Sequence, residues 1–194
     1  MNTILKKSLL ASVFAATLLS PLSNAANYLV DYKGAHASIN FKIKHLGYSW
    51  LTGRFDNFSG EFNYDEKNIN ASTISMKIDT TSVNSNHGER DKHLRSDDFL
   101  DVIKFAEATF ISSSITDKGN DRLEVKGLFS FHGVSKVITI DAMKIGQGQD
   151  PWGGYRAGFT GTAKIALTDF DVKTNLGPAS SHVELEFHLE GIRQ

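Results

Sequence analysis

The strongest constraint in this sequence is an alternation with a period of two. Across Ser38–His45, Ile39, Phe41, Ile43 and His45 fall on one side of an extended chain, and Asn40, Lys42 and Lys44 fall on the other, because strand side chains point alternately to opposite faces. The pattern returns at Ile74, Met76 and Ile78, at Leu123, Val125, Gly127, Phe129 and Phe131, at Ala157, Phe159, Gly161, Ala163 and Ile165, and at Val183, Leu185, Phe187 and Leu189. Strands that are dry on one face and wet on the other must bring their dry faces together by stacking or by closing on themselves. Short reversals separate the runs, at Leu46-Gly47-Tyr48, at residues 117–120 and at His132-Gly133, which are hairpin connections.

Eight long strands at this spacing predict a mainly β, antiparallel barrel or sandwich, and we favour the eight-stranded barrel. Residues 84–102 are the only stretch with helical character, a short excursion expected between the fourth and fifth long strands. Its few apolar residues suit it to cover one edge or mouth. Between Phe55 and Phe58 the apolar parity changes across Asp56 and Asn57, which predicts a β-bulge. Residues 146–155 read as a glycine-rich loop. Gly60, Gly127, Gly161 and Ala163 lie among bulky inward residues, where they either leave room inside the barrel or relieve strand coiling.

Residues 1–25 are expected to be a cleaved secretory leader. Lys6 and Lys7 precede an apolar stretch over 8–22, and Ser23 and Ala25 stand three and one before a cut ahead of Ala26. Residues 26–194 are then expected to form a single domain of the exported protein. Without Lys6 and Lys7 the basic residues fall from 21 to 19 against 22 acidic ones, a net charge of about −3. No basic patch dominates, which argues against a nucleic-acid partner. Cysteine is absent, so disulfides, thiol catalysis and thiolate metal sites are excluded.

A set of local motifs accompanies this pattern. It includes Phe41, Ile43, His45, Leu46 and Gly47, the 53–62 run, Asn86-His87, and Arg90-Asp91-Lys92-His93-Leu94-Arg95-Ser96 with Asp98 and Phe99. It continues with Ala108-Thr109-Phe110, Gly133-Val134 and Lys136, Asp150-Pro151-Trp152-Gly153-Gly154, Arg156-Ala157-Gly158-Phe159 and Leu176-Gly177-Pro178-Ala179-Ser180. In these features the chain resembles the YceI-like family of secreted polyisoprenoid-binding proteins. The resemblance implies a lipocalin-like barrel, a homodimer, and a long isoprenoid ligand with a phosphate or quinone-type head.

The expected function is therefore non-catalytic carriage of an isoprenoid lipid in the barrel interior, in the periplasm of a Gram-negative bacterium, with no cofactor and no metal. The inward positions expected to line the ligand are Phe41, Ile43, Trp50, Phe62, Met76, Ile78, Phe110, Phe129, Phe131, Phe159 and Ile165, with Phe99 at a mouth. His45 ends a dry strand face, where it either donates to a ligand head group or is satisfied by backbone or water at the rim. An enzyme finds little support. His87, Glu89 and His93 lack the spacing of zinc hydrolases, and no serine sits in a nucleophile elbow. Arg90, Asp91, Arg95 and Asp98 read as local ion pairs or as a rim for an anionic head. A third possibility is a stress or scaffold protein whose barrel is filled by its own side chains and which acts through its surface.

Overall fold

The computed structural model describes residues 25–174 and 176–194. The expected leader, residues 1–25, therefore lies outside the described residues except for Ala25. The described chain contains eleven strands: β1 (Ala26–Val30), β2 (Ser38–His45), β3 (Ser49–Phe55), β4 (Phe58–Tyr64), β5 (Thr73–Asp79), β6 (Val83–Asn84), β7 (Glu107–Gly119), β8 (Arg122–Phe131), β9 (Val134–Gln149), β10 (Tyr155–Ala166) and β11 (His182–Arg193). The helix α1 (Gly88–Arg95) follows β6.

Neighbouring strands pair antiparallel in the order β1-β4-β5-β7-β8-β9-β10-β11, and β1 pairs back onto β11 to close a ring of eight. The expected barrel is thus present. The remaining strands continue three of these staves. β11 pairs with β1 through Val30↔Gly191 and with β2 through Ser38↔His188, so β1 and β2 are halves of one stave. In the same way β3 runs on into β4 and β5 into β6. Counting the run at Tyr28 as its own strand puts α1 after the fourth; merging it with β2 puts α1 after the third.

The expected bulge between Phe55 and Phe58 is instead a break. Asp56 and Asn57 leave the ladder opposite a single 3-10 turn, Thr80–Ser82. There the Asp56 amide donates to the Ser82 carbonyl at 3.1 Å and the Asp79 amide to the Asn57 carbonyl at 3.0 Å. Both staves bend at one level, and Phe58 and Val83 stay buried. The glycines at 146 and 148 also differ from expectation, since they belong to β9 and pair with Gly158 and Arg156. The ladder shifts register beside them: Gly158 pairs with Gly146 and Phe159 with Lys144, so Ile145 of β9 is the extra, unpaired residue of a β-bulge.

The two-residue hairpins use mirror-image turns that match strand twist. Asn120 and Asp121 have φ of 54° and 61°, and His132 and Gly133 have φ of 49° and 78°. Inward glycines do not leave space. A Cβ on Gly127 would collide with the ring of Phe110, and one on Gly60 with the sulfur of Met76, so large neighbours already fill those gaps.

Candidate functional site: an apolar cavity with a polar mouth

The dry faces do not fill the barrel. Two cavities lie along its interior, of about 90 Å³ and about 430 Å³. Ile39, Ile78, Phe129 and Phe187 line both and form the constriction between them. The larger volume falls within the roughly 300–1,000 Å³ typical of small-molecule sites.

The smaller cavity is bounded by rings. Tyr28 stacks on Phe62 at 4.9 Å, and Phe159 stands edge-on to both Phe62 and Tyr64, at 5.4 and 5.2 Å. Met76, Phe110, Ile115 and Val125 complete its buried wall. The larger cavity opens between β2, β3 and the segment carrying α1, where Leu46, Leu51, Leu94, Phe99 and Leu176 surround it.

Twelve of the thirteen expected lining residues meet these spaces. Phe62, Met76, Phe110 and Phe159 line the smaller cavity, and Phe41, Ile43, His45, Phe99, Phe131 and Ile165 the larger. Ile78 and Phe129 line both. Trp50 is the correction. It is 48% exposed on the outer face, with the ammonium groups of Lys42 and Lys44 at 5.1 and 5.6 Å from its ring. The reason is parity: Trp50 and Phe55 are five residues apart on one strand, so they point to opposite faces. Leu51 holds the inward place instead.

The mouth carries polar residues that periodicity could not assign. His87 caps α1 by accepting from the Arg90 amide at 3.2 Å. Arg90 then reaches back to Ser85, donating from Nε to the hydroxyl and from Nη2 to the carbonyl, each at 2.7 Å. The Ser85 amide and hydroxyl in turn donate to the Asp91 carboxylate at 2.7 and 2.5 Å. His93 Nε2 pairs with Asp98 at 2.9 Å and its ring lies edge-on to Phe99. The expected ion pairs among Arg90, Asp91, Arg95 and Asp98 give way to a different arrangement: Arg90 and Asp91 meet through Ser85, and Asp98 pairs with His93. Opposite α1, the Ser180 hydroxyl donates to the Lys44 carbonyl at 2.5 Å, tying the 178–180 turn to β2.

A second polar cluster lies on the outer face. Asp31, His36 and Glu190 place their ligand atoms within 4.8 Å of one another, but the Arg156 guanidinium already stands among them. Its Nη1 donates to Asp31 at 2.7 Å and to Glu190 at 2.6 Å, and its Nε donates to Asp150 at 2.8 Å. That supplies the positive charge an ion would bring, so the group fits a structural clasp rather than a metal site. Hydrogen bonds from His36 and Arg156 hold the Asp31 carboxyl at about 2, below its ordinary 3.8. The neighbouring Asp150 is likewise lowered, chiefly by Arg156.

Comparison with known families matches residues 28–191 to the YceI-like domain. The chain belongs to the YceI-like family. It is 54% identical over 191 residues to a UPF0312 protein of Shewanella sp. strain ANA-3, covering 98% of this chain and all of that one. The crystal structure of the Campylobacter jejuni YceI protein superposes with a TM-score of 0.70 at 29% identity, covering 79% of this chain and 91% of that one. A polyisoprenoid-binding domain from Saccharophagus degradans, implicated in plant cell wall breakdown, superposes with a TM-score of 0.63 at 18% identity, covering 86% and 98%. No helix among the described residues is long and apolar enough to cross a membrane.

Proposed function

We propose that this YceI-like protein is a non-catalytic carrier of a long isoprenoid lipid, a polyprenyl or isoprenoid quinone-like molecule. In this reading it works in the periplasm after loss of its leader, and its chains pair as a homodimer. The observation that carries the proposal is the 430 Å³ cavity, walled mainly by aliphatic and phenyl side chains and continued past the Phe129 constriction by a second apolar space. The polyisoprenoid-binding domain of Saccharophagus degradans, which shares the fold, points the same way.

The energetics suit an apolar tail. Each buried methylene contributes about 0.8 kcal/mol, so a branched hydrocarbon needs few polar contacts to stay bound. The Ser180 hydroxyl at the mouth is bonded to backbone, so it serves the architecture of the opening. A barrel that acts only through its surface has no use for a cavity of this size, which favours carriage over the scaffold reading.

The test is extraction of lipid from the protein purified from its native periplasm, followed by mass spectrometry. The carrier reading predicts close to one prenyl lipid per chain. Absence of any prenyl lipid across several preparations contradicts it.

A further inference from the structure

The two ends of the cavity system differ in charge. The residues lining the smaller cavity include no ionisable side chain except Tyr64. The larger cavity is lined by four basic or imidazole residues, Lys44, His45, Arg90 and His93, and by no carboxylate. Lys44 is set aside, because its ammonium lies over Trp50 on the outer face. Two carboxylates of the α1 segment are already engaged: Asp91 is buried against Ser85, and Asp98 faces His93.

Arg90 is the fixed member of this set. Two bonds to Ser85 hold its guanidinium plane, while Nη1 has no hydrogen-bond partner among the described residues. A guanidinium held at the edge of an apolar cavity gains most from a planar or tetrahedral anion that accepts two of its hydrogens. His45 and His93 stand at the same opening, both largely exposed, and can add donors to that anion, His93 from Nδ1 because its Nε2 faces Asp98.

We propose that Arg90, assisted by His45 and His93, is an anion-receiving collar, so that the amphiphile taken by this protein carries a phosphate or carboxylate head rather than a neutral one. The inference rests on the carrier reading and deepens it. The tail enters the apolar barrel and the charged head stops at the mouth, because moving an anion past Phe129 would remove it from every donor in the site.

The experiment uses the delipidated mature protein and three probes with one tail: farnesyl phosphate, farnesoic acid and farnesol. The collar predicts that farnesyl phosphate, farnesoic acid or both bind at least about tenfold more tightly than farnesol, the ratio expected of a charge-assisted hydrogen bond. Phosphate preference alone identifies the head as a phosphate, and equal preference for both acids extends it to carboxylates. In Arg90→Met the ratio of anionic to neutral affinity falls to within about twofold. Should that variant fail to fold, the wild-type ratio and its decline with added salt decide the matter. Equal binding of all three probes overturns the collar and leaves the carrier standing, as does an undiminished ratio in Arg90→Met. Binding of none overturns both.

Discussion

Phe129 is the side chain on which the two-cavity arrangement most depends. It is 6% exposed and lines both spaces, and its ring packs at 5.7 Å on Phe131 and at 5.3 Å on Phe170. Truncation to alanine removes about 1.5–3 kcal/mol of burial, and each of the two ring pairs adds about 0.5–1.5 kcal/mol. The total, about 2.5–6 kcal/mol, brackets the about 3–5 kcal/mol that phenylalanine-to-alanine changes in cores cost, and the latter is the loss expected here. For a domain of this size that lowers Tm by about 6–20 °C. Urea denaturation of the delipidated Phe129→Ala variant measures the loss directly. A second consequence separates this side chain from ordinary core. Removing the ring widens the constriction, so a bound tail reaches further and the stability difference narrows when saturating lipid is present. A loss below about 1 kcal/mol refutes the packing argument. A full loss that prenyl lipid leaves unchanged refutes the claim that Phe129 separates two connected binding spaces.

Other perturbations give equally definite results. Ala108, 3% exposed and lining the larger cavity, has open space before it; Ala108→Trp folds at a cost within about 1–3 kcal/mol and abolishes most prenyl-lipid uptake in a fluorescent-lipid displacement assay. Trp50→Ala, on the outer face, leaves lipid affinity within twofold in the same assay, because the ring touches the lysines and not the cavity. Gly127→Val drives a branched side chain into Phe110 and the Ile111 carbonyl and lowers Tm by several degrees in differential scanning calorimetry. The Asp31 clasp adds a pH dependence with a defined sign. Its carboxyl is lowered to about 2 when folded and is ordinarily near 3.8, so its contribution is complete above pH 4 and disappears as pH falls toward 2. Urea titrations between pH 5 and pH 2 show this as a steeper stability loss in wild type than in Asp31→Asn.

How much of this was legible in the chain depended on which physical rule each residue obeys. Alternation located the staves and the inward phenylalanines, since burial imposes a strict period on a closed sheet. Trp50 misled because a large aromatic ring suggests burial, whereas its parity relative to Phe55 placed it outside. The glycines at 146 and 148 suggested a loop, yet pairing with β10 holds them in a strand. The mouth was the least legible part. Arg90 and Ser85 meet through a helix cap and a turn, and no period links them to β2 or to Ser180 across the opening. Arg156 and Asp150 were visible as motif residues, but their clasp on Asp31 and Glu190 joins segments more than a hundred residues apart in sequence.

The most direct test of the account is a crystal structure of the protein purified from its native host. The carrier reading predicts continuous electron density along the barrel axis, running from the Arg90 mouth past Phe129 toward the Tyr28–Phe62–Phe159 rings, with a shape that fits a branched prenyl chain. Side chains collapsed into that axis, leaving no room for a tail, would contradict it.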